Sequence, residues 1–354
     1  MSVSNQNKPL ILAQLGCGYW GPNLLRNFSA LRDRCRVKYV AETSAERRRF
    51  VEQNYPSTAA IDDWEAALAD PEVDAMVIAT PAATHASFAR RALECGKHVF
   101  VEKPLAMRTS DADALIAAAA VRRLTLMVGH TFLYNGAVEH LRRLVQSGEL
   151  GTIYYLYAQR LNLGVIRSDL NAMWNLAPHD ISIAAYVLGQ WPAAVAASGT
   201  AYVQSGIEDV VFMNLKFPDN VHASLHVSWL DPNKVRRMTV VGSRRMVVYD
   251  DVADDKIAVY DKGIDRYVPE KPFDAPSVTK LVHRAGDVWL PRVDFVEPIK
   301  IEALHFLDCI RTGAPPKSDG RNGRQVVAVL EAADRSLHSG SPYVAIEHTV
   351  GAAC

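Results

Sequence analysis

The stretch Gly16-Cys17-Gly18-Tyr19-Trp20-Gly21 decides the fold of the N-terminal part of the chain. An apolar run, Leu10 to Leu15, precedes it and predicts a strand that is buried on both faces. The residues after it, Pro22 to Leu31, space their apolar side chains as a helix does. A glycine-rich turn between a strand and a helix presents backbone N–H groups to an anion. The motif therefore predicts a site for the pyrophosphate of a dinucleotide.

An acidic residue stands where such a motif needs one. Glu42 follows the predicted second strand, Val37 to Ala41, about twenty residues past the last glycine. A carboxylate there accepts hydrogen bonds from ribose hydroxyls and repels a 2′-phosphate, which favours NAD over NADP. Ser44 and the basic run Arg47 to Arg49 leave NADP open. The other interpretation of the arginines is the solvated face of a helix over Ala45 to Asn54.

Strand and helix patterns alternate through the first third of the chain. Apolar runs predict strands over Val73 to Ala79, His98 to Val101 and Thr125 to Gly129, and helical spacing predicts helices over Thr84 to Cys95 and Ser110 to Arg122. This alternation is typical of a parallel sheet with right-handed crossovers. Ligands bind at the carboxyl edge of such a sheet, so residues just past a strand end are candidate site residues.

The tripeptide Glu102-Lys103-Pro104 follows one of these predicted strands. Lys103 is therefore expected at the carboxyl edge of the sheet, where an ammonium group faces the ligand crevice. The alternative interpretation of Lys103 is a surface ion pair with Glu102. Together with the glycine motif, this placement predicts a nicotinamide oxidoreductase with a lysine in its active site.

These motifs resemble the glucose–fructose oxidoreductase/inositol dehydrogenase/rhizopine catabolism (Gfo/Idh/MocA) family. The resemblance rests on the segments Gly16 to Gly21, Ile78 to His85, Gly96 to Leu105, Gly129-His130, Tyr134-Asn135, Gly148 to Gly151, Phe306 to Gly313 and Ser318 to Gly320. It implies an α/β Rossmann domain and an α+β domain with a large, mostly antiparallel, open-faced sheet. One face of that sheet carries the substrate and the other often forms a subunit contact, which implies a homodimer or homotetramer. It also implies a cis Lys103-Pro104 bond.

The motifs and the resemblance together indicate which residues bind the ligands. The predicted cofactor-binding residues are Gly16, Gly18, Tyr19, Trp20, Gly21, Glu42, Thr80, Pro81, Thr84, His85, Glu102, Lys103 and Trp174. The predicted substrate-binding residues are Lys103, Tyr134, Arg160, Asn162, Arg167, Asp169, Asn175 and His179. For His85, a structural place in the first turn of a helix is equally open.

The second predicted catalytic motif differs from the pattern of the family. The family carries an Asp-x-Gly-x-His motif, whose positions here are Asn175, Ala177 and His179. Imidazole titrates near neutrality, so His179 is suited to take a hydroxyl proton. Asn175 forms hydrogen bonds but holds no negative charge, so the proton chemistry falls to His179 and Lys103. The candidates for a replacement carboxylate are Asp169 and Asp180.

The predicted reaction is hydride transfer between a secondary alcohol and nicotinamide, with Lys103, His179 and Asn175 as the catalytic residues. His179 takes the O–H proton, and Lys103 donates a hydrogen bond that stabilises the charge on the same oxygen. The polar segment Arg160 to Asn171 supplies groups for sugar hydroxyls, and Arg167 suits a phosphate or a carboxylate. This segment resembles members that act on nucleotide-linked hexoses, which predicts ring C3 of a UDP-N-acetylhexosamine as the reacting carbon.

Other functions stay open at this point. The reverse reaction would make the protein a keto-sugar reductase, and free sugars or inositols are alternative substrates. A tightly bound NADP(H) that recycles between two sugars is a further option. A non-catalytic NAD-binding sensor is supported only by Asn175.

The composition limits the remaining function classes. The chain has 354 residues with 39 basic and 39 acidic side chains, so no basic field favours nucleic acid. No apolar run approaches membrane-spanning length, and the polar N-terminus is unlike a signal peptide. The five cysteines are scattered and lack C-x-x-C spacing, which predicts a cytoplasmic protein without structural zinc or another metal.

We predict a Rossmann domain over residues 1–130 and an α+β domain over residues 131–354. Strand-like sequence in the second domain starts with Ile153 to Leu163. The further strands predicted there are Val195 to Gly199, Asp209 to Phe217, Ala223 to Trp229, Arg237 to Val241 and Met246 to Tyr249. Its predicted helices are Gly136 to Ser147, Ile181 to Leu188, Pro298 to Arg311 and Gly323 to His338. The segment Pro269 to Pro298 contains five prolines and is predicted to be an irregular loop over the site.

Overall fold

The computed structural model describes residues 8–267, 280–294, 296–340 and 342–348. These residues form two compact units. The first unit contains residues 8–135, 296–331 and 348, and the second contains residues 136–267, 280–294, 332–340 and 342–347. Among the described residues, no helix combines the length and the apolar character that crossing a membrane requires.

The first unit is built on a parallel sheet. Its six strands are β1 (Leu10–Leu15), β2 (Cys35–Ala41), β3 (Ala59–Ile61), β4 (Ala75–Ile78), β5 (His98–Glu102) and β6 (Leu126–Gly129). They are ordered β3-β2-β1-β4-β5-β6, and each neighbouring pair is parallel. The order reverses between β1 and β4, which is where a doubly wound sheet opens a crevice for a ligand. The predicted Rossmann domain is confirmed.

Helices connect these strands. They are α1 (Gly21–Ala30), α2 (Ala45–Asn54), α3 (Trp64–Ala69), α4 (Ala82–Glu94), α5 (Thr109–Arg122) and a short 3-10 helix (Thr131–Tyr134). The short elements β3 and α3 were not predicted, because three and six residues are too few to show a period.

The second unit is an α+β arrangement. Its helices are α6 (Gly136–Gln146) and α7 (Ala172–Leu188). Its strands are β7 (Ile153–Leu161), β8 (Ala194–Thr200), β9 (Val210–Lys216), β10 (His222–Ser228), β11 (Val235–Gly242), β12 (Met246–Asp250), β13 (Ile257–Tyr267), β14 (Lys280–Trp289) and β15 (Val344–Ala345). The sheet order is β14-β13-β12-β11-β7-β10-β9-β8-β15, and among the described strand pairs only β7 and β10 run parallel. This agrees with the predicted mostly antiparallel sheet.

The side chains of this sheet alternate between buried and exposed positions. In β9, Val211, Met213 and Leu215 are buried, whereas Phe212 between them is 49% exposed. One face therefore carries the core and the other carries exposed side chains, as is common for antiparallel sheets. The predicted homo-oligomer stays a prediction.

Three sequence-based boundaries differ in the structure. The segment predicted to be an irregular loop contains the strand β14, whose ten residues include none of the five prolines, while residues 268–279 lie outside the described residues. The helix predicted to begin at Ile181 begins at Ala172 in the structure. Asn171 caps it, and Pro178 lies inside it.

The third difference concerns the domain boundary. Helix α8 (Pro298–Thr312) and the first part of α9 (Gly320–Ser339) belong to the first unit, so a single cut after residue 130 does not describe the division. The reason lies in the core, where the Phe306 ring packs edge-to-face on Phe28 and Phe100 with centroids 6.4 and 5.6 Å away. Phe306 on α8 therefore packs this C-terminal helix into the core of the first unit.

Candidate active site

The glycine loop after β1 has the geometry of a phosphate-binding turn. Gly16 has φ +90°, and a Cβ there would lie 2.6 Å from the Ala79 carbonyl oxygen at the end of β4. A Cβ on Gly21 would lie 2.5 Å from the Gly16 carbonyl oxygen. Gly18 differs, since a Cβ there would meet no described heavy atom within 4 Å. Gly16 and Gly21 are thus fixed by close packing, and Gly18 leaves room for a ligand to approach the backbone.

The N-terminus of α1 is suited to an anion. Trp20 precedes the helix without a side-chain cap, and the first turn carries no acidic residue. The first backbone N–H groups of a helix lack partners within it, so they are available to a phosphate. Tyr19 and Trp20 are exposed on the same loop. These residues fit a dinucleotide pyrophosphate.

Gln14, which the motif does not include, holds the loop closed. Its buried side-chain amide donates hydrogen bonds to the carbonyl oxygens of Gly16 at 2.9 Å and Gly21 at 3.0 Å. Both ends of the turn are thereby tied to one residue of β1. This role was not predicted from the sequence. A glutamine in an otherwise apolar strand could have indicated it, since a buried amide needs hydrogen-bond partners.

Glu42 lies at the rim of the glycine loop. Its carboxylate accepts hydrogen bonds from the backbone N–H of Cys17 at 2.7 Å and of Ser44 at 2.9 Å. A carboxylate has about four acceptor positions, so ribose hydroxyls remain within its capacity. Arg48 donates to the carbonyl oxygens of Glu42 and Thr43, which explains one of the three consecutive arginines structurally.

We expect Glu42→Ala to weaken NAD binding by about tenfold and to reduce the preference for NAD over NADP, because the ribose loses a charged acceptor and a 2′-phosphate loses a repelling charge. Titration with both dinucleotides measures the two dissociation constants. Glu46→Ala, at an exposed acid in the first turn of α2, is the matched control. An unchanged NAD/NADP ratio in the Glu42 variant would contradict this assignment.

The residues after β4 form a compact hydrogen-bonded turn. Thr84 donates its hydroxyl to the Pro81 carbonyl oxygen at 2.7 Å, and the Thr80 hydroxyl lies 2.8 Å from the Thr84 hydroxyl. His85 is buried, with Nδ1 2.7 Å from the Pro104 carbonyl oxygen and Nε2 2.9 Å from the Thr80 carbonyl oxygen. The imidazole therefore links this turn to the segment that carries Lys103. A cofactor contact of His85 stays a prediction.

Lys103 follows β5 at the carboxyl edge of the sheet, and the Lys103-Pro104 bond is cis, as the resemblance implied. The Lys103 backbone N–H donates to Oε2 of Glu102 at 3.3 Å. Glu102 is buried, which raises the pKa of its carboxyl group to about 7 against the opposing effect of the Lys103 ammonium. The Lys103 ammonium group therefore favours the ionised form of this carboxyl group.

Tyr134, in the first unit, has an internal partner for its polar atom. Its side chain is buried, and its hydroxyl lies 3.0 Å from the Ser318 hydroxyl. Ser318 in turn donates to the Val128 carbonyl oxygen at 2.7 Å. Because the hydroxyl is bonded inside the unit, we do not propose a substrate contact for Tyr134.

The second unit carries the histidine motif on α7. Asn171 caps the helix by accepting a hydrogen bond from the Trp174 backbone N–H at 3.0 Å. Trp174 is buried, whereas Asn175 and His179 are half-buried. These two residues are four positions apart and therefore lie on one face of the helix. The motif is thus displayed on the first two turns of α7 and does not precede the helix.

Arg160 and Asp180 form a buried ion pair in the second unit. The Arg160 guanidinium donates to both oxygens of Asp180 at 2.8 Å, and both side chains are about 5% exposed. This bidentate contact joins β7 to α7. We therefore do not propose a substrate contact for Arg160, and Asp180 is not available to replace the carboxylate missing at Asn175.

The other predicted substrate residues of the second unit lie in the segment after β7. Asn162 is exposed. Arg167 donates to both oxygens of Asp169 at 2.8 and 2.7 Å, with 34% and 40% of the two side chains exposed. Because this pair is accessible to solvent, a ligand anion can compete with Asp169 for the guanidinium.

Comparison with known proteins agrees with this geometry. Residues 12–130 match the model of an oxidoreductase family with an NAD-binding Rossmann fold, and residues 138–248 match the model of the GFO/IDH/MocA C-terminal domain. The chain is similar to UDP-N-acetylglucosamine 3-dehydrogenase of Acidithiobacillus ferrooxidans. The two share 31% identity over 258 residues, which are 73% of this chain and 76% of that protein.

Solved structures share the fold over nearly the whole chain. A structure of UDP-N-acetylglucosamine 3-dehydrogenase from Acidithiobacillus ferrooxidans has 26% identity and a TM-score of 0.77, covering 94% of this chain and 99% of that chain. Levoglucosan dehydrogenase in complex with NADH has a TM-score of 0.81 at 20% identity, covering 97% of this chain and 100% of that chain. The prediction that the Rossmann domain binds NAD is confirmed.

Proposed function

Because the chain belongs to the GFO/IDH/MocA family of NAD-binding oxidoreductases, we propose that it oxidises a secondary alcohol of a sugar with NAD. The proposed reacting carbon is ring C3 of a nucleotide-linked hexose such as a UDP-N-acetylhexosamine. The bound dinucleotide supplies the hydride acceptor at nicotinamide C4. The groups of this chain have to bind the sugar, take its hydroxyl proton and stabilise its oxygen.

The observation that carries the proposal is the position of Lys103 relative to the glycine loop. Both follow strands of one parallel sheet, and β4 separates the two strands β1 and β5. Neighbouring strands are about 4.8 Å apart, so these two strand ends are about 10 Å apart along the same edge. A dinucleotide bound by its pyrophosphate at the loop extends along this edge, which brings its reactive ring within reach of Lys103.

Two side chains perform the proposed acid–base chemistry. His179 takes the proton from the substrate hydroxyl as the C–H bond gives up its hydride. Lys103 donates a hydrogen bond from its ammonium group to the same oxygen and stabilises its negative charge. Asn175 shares a helix face with His179 and orients the substrate or the imidazole through hydrogen bonds, without adding charge.

The proposed nucleotide part of the substrate rests on the segment after β7 and on the relative of known activity. Arg167 offers a planar guanidinium that binds a phosphate with two hydrogen bonds. Its present partner, Asp169, is a partly exposed carboxylate that a diphosphate displaces at modest cost. The relative at 31% identity is a UDP-N-acetylglucosamine 3-dehydrogenase, which supports the same substrate class.

A turnover screen tests this function. Purified protein is offered UDP-N-acetylhexosamines, UDP-hexoses, sugar phosphates, free hexoses and inositols with NAD and then NADP, following the absorbance of reduced nicotinamide. We expect NAD reduction to be strongest with one UDP-N-acetylhexosamine. Arg167→Gln is expected to raise KM for that substrate by about tenfold or more, because a charge-assisted contact to the diphosphate is lost.

The control for this variant is Arg237→Gln, which removes a half-exposed arginine that is paired with Asp250 on the neighbouring strand. Strong turnover of free sugars or inositols instead would contradict the nucleotide-sugar assignment. Reduction with none of these compounds, despite saturable NAD binding, would favour a keto-sugar reductase or a non-catalytic sensor. Oxidation of NADH with a 3-keto sugar then separates these two.

A further inference from the structure

Three buried titratable side chains lie in the first unit, and the Lys103 ammonium acts directly on two of them, Glu102 and His130. They are Glu102 at the end of β5, His130 immediately after β6, and Glu302 on α8, with exposures of 7%, 1% and 0%. The proposed reaction assigns no step to His130 or Glu302. Buried ionisable groups are costly and are ordinarily paired, so their purpose needs an explanation.

The carboxyl groups of Glu102 and Glu302 both contact the tripeptide Gly129-His130-Thr131. Glu102 pairs with Gly129 across the sheet, and its Oε1 lies 2.9 Å from where a Cβ on Gly129 would stand. Two residues further on, the Thr131 hydroxyl donates to Oε2 of Glu302 at 2.8 Å. The carboxyl groups of Glu102 and Glu302 thus lie against the two residues on either side of His130 in the sequence, although they are 200 positions apart themselves.

Several polar atoms of this cluster have no partner in the described part of the chain. They are Oε1 of Glu102, Oε1 of Glu302 and both ring nitrogens of His130. In a buried site, a charge on each of these groups would have to be balanced by a counter-charge. The cation that acts on both Glu102 and His130 is Lys103.

Burial and neighbouring charges determine which side chains of this cluster are charged. Burial, with the nearby Lys103 ammonium, lowers the pKa of His130 to about 3, so the imidazole is neutral. Burial, together with the charge of Glu102, raises the pKa of Glu302 well above its ordinary value. Tyr134 also faces this cluster, and burial and Glu302 raise the pKa of its hydroxyl, which leaves it uncharged. Two neighbouring buried carboxyl groups do not both ionise beside one cation.

We propose that Glu102 and Glu302 act as one positioning unit for Lys103, in which Glu102 is the ionised counter-ion of the ammonium group and Glu302 is a neutral carboxylic acid. Glu102 is the charged member because it is adjacent to Lys103 and accepts its backbone N–H, whereas the donor that the described residues offer to Glu302 is the neutral Thr131 hydroxyl. A second carboxylate here would draw the ammonium group away from the substrate oxygen. The inference rests on the proposed function for the role of Lys103.

Infrared spectroscopy tests the charge assignment without a substrate. At alkaline pH, where Glu102 is ionised, the wild-type protein is expected to show a C=O band of a protonated carboxyl group that Glu302→Gln removes. Glu297→Gln is the matched control, since Glu297 immediately precedes α8 and its pKa is lowered by the hydrogen bond from Arg26. That variant should leave the band unchanged. A band that survives in Glu302→Gln overturns the proposal.

Kinetics test the positioning role. Glu302→Gln should keep the pH dependence of kcat/KM, because the amide is as neutral as the acid and still accepts from Thr131. Glu302→Ala should lower kcat by about 100-fold with little change in NAD binding, because Lys103 is then misplaced. Glu102→Gln should lower kcat and move the acid limb of the profile, since the proton that enters Glu102 near pH 7 removes the counter-ion.

Two kinetic outcomes overturn the proposal. One is a shifted pH profile in Glu302→Gln, which would mean that Glu302 carries charge. The other is an unchanged profile in Glu102→Gln, which would mean that Glu102 does not. The infrared result needs no turnover, so a failed substrate screen and a wrong charge assignment are distinguishable.

Discussion

Replacement of Lys103 by alanine is expected to lower kcat by about 100- to 1000-fold, while the dissociation constant for NAD changes by less than about threefold. The ammonium group is the donor that the proposed reaction aims at the substrate oxygen as charge develops there. The groups that we propose to hold the cofactor lie elsewhere, in the glycine loop, at the N-terminus of α1 and at Glu42. Steady-state kinetics with the substrate from the screen, and a titration with NAD, measure the two effects separately.

The control is Lys300→Ala, which removes an exposed lysine from α8 of the same unit. Equal kcat values for the wild type and the Lys103 variant would exclude the lysine from the chemistry. A parallel loss of NAD affinity and kcat would instead mean that Lys103 binds the cofactor. Either result would leave the family assignment intact, because that assignment rests on the family matches over residues 12–130 and 138–248 and not on the activity of one residue.

The sequence was sufficient to predict those parts of the site whose residues follow a strand directly. The glycine loop, Glu42 and Lys103 each follow a strand directly, so the strand pattern places all of them at one edge of the sheet. The strands β1, β2, β4, β5 and β6 were predicted because apolar runs bounded by turns are local signals. The family motifs then added the order of the units.

Contacts between residues that are far apart in the chain could not be predicted from the sequence. Gln14 closes the glycine loop, and Thr131 bonds Glu302 from 171 positions away. Arg160 was expected at the substrate, but its buried bidentate contact with Asp180 lies inside the second unit. A single sequence gives no information on such pairs, because the pairing depends on how the elements pack and not on the spacing along the chain.

Helix α7 is an exception to the rule that proline is excluded from the interior of a helix. The sequence pattern placed the start of this helix at Ile181, and a proline three residues earlier is unusual inside a helix. In the structure Pro178 lies inside α7, which begins at Ala172 with Asn171 as its cap. The helix contains twelve buried residues, and this packing outweighs the hydrogen bond that a proline cannot donate.

Replacement of His179 by asparagine is expected to lower kcat by about 100- to 10,000-fold and to leave NAD binding almost unchanged. Asp180, its neighbour in sequence, is buried against Arg160, and consecutive helix residues point about 100° apart. His179 is therefore directed away from that internal ion pair. The measurement is the pH profile of kcat/KM, from which the variant should lose the limb that reports the base. An unchanged kcat would assign the proton transfer to another group.

Asn175→Asp separates the contributions of His179 and Glu102 to the pH profile of kcat/KM. A carboxylate four residues before His179 on one helix face favours the protonated imidazole, so the pKa of the base rises and the acid limb moves to higher pH by about one unit. The acid limb contains a contribution from each group, so Asn175→Asp moves the part that His179 contributes and Glu102→Gln moves the part that Glu102 contributes. Each substitution acts on its own group, since Asn175 shares a helix face with His179, whereas Glu102 is adjacent to Lys103. A limb that responds to neither would mean that the observed pH dependence arises from the substrate or from a conformational step, and the roles assigned to His179 and Glu102 would both have to be given up.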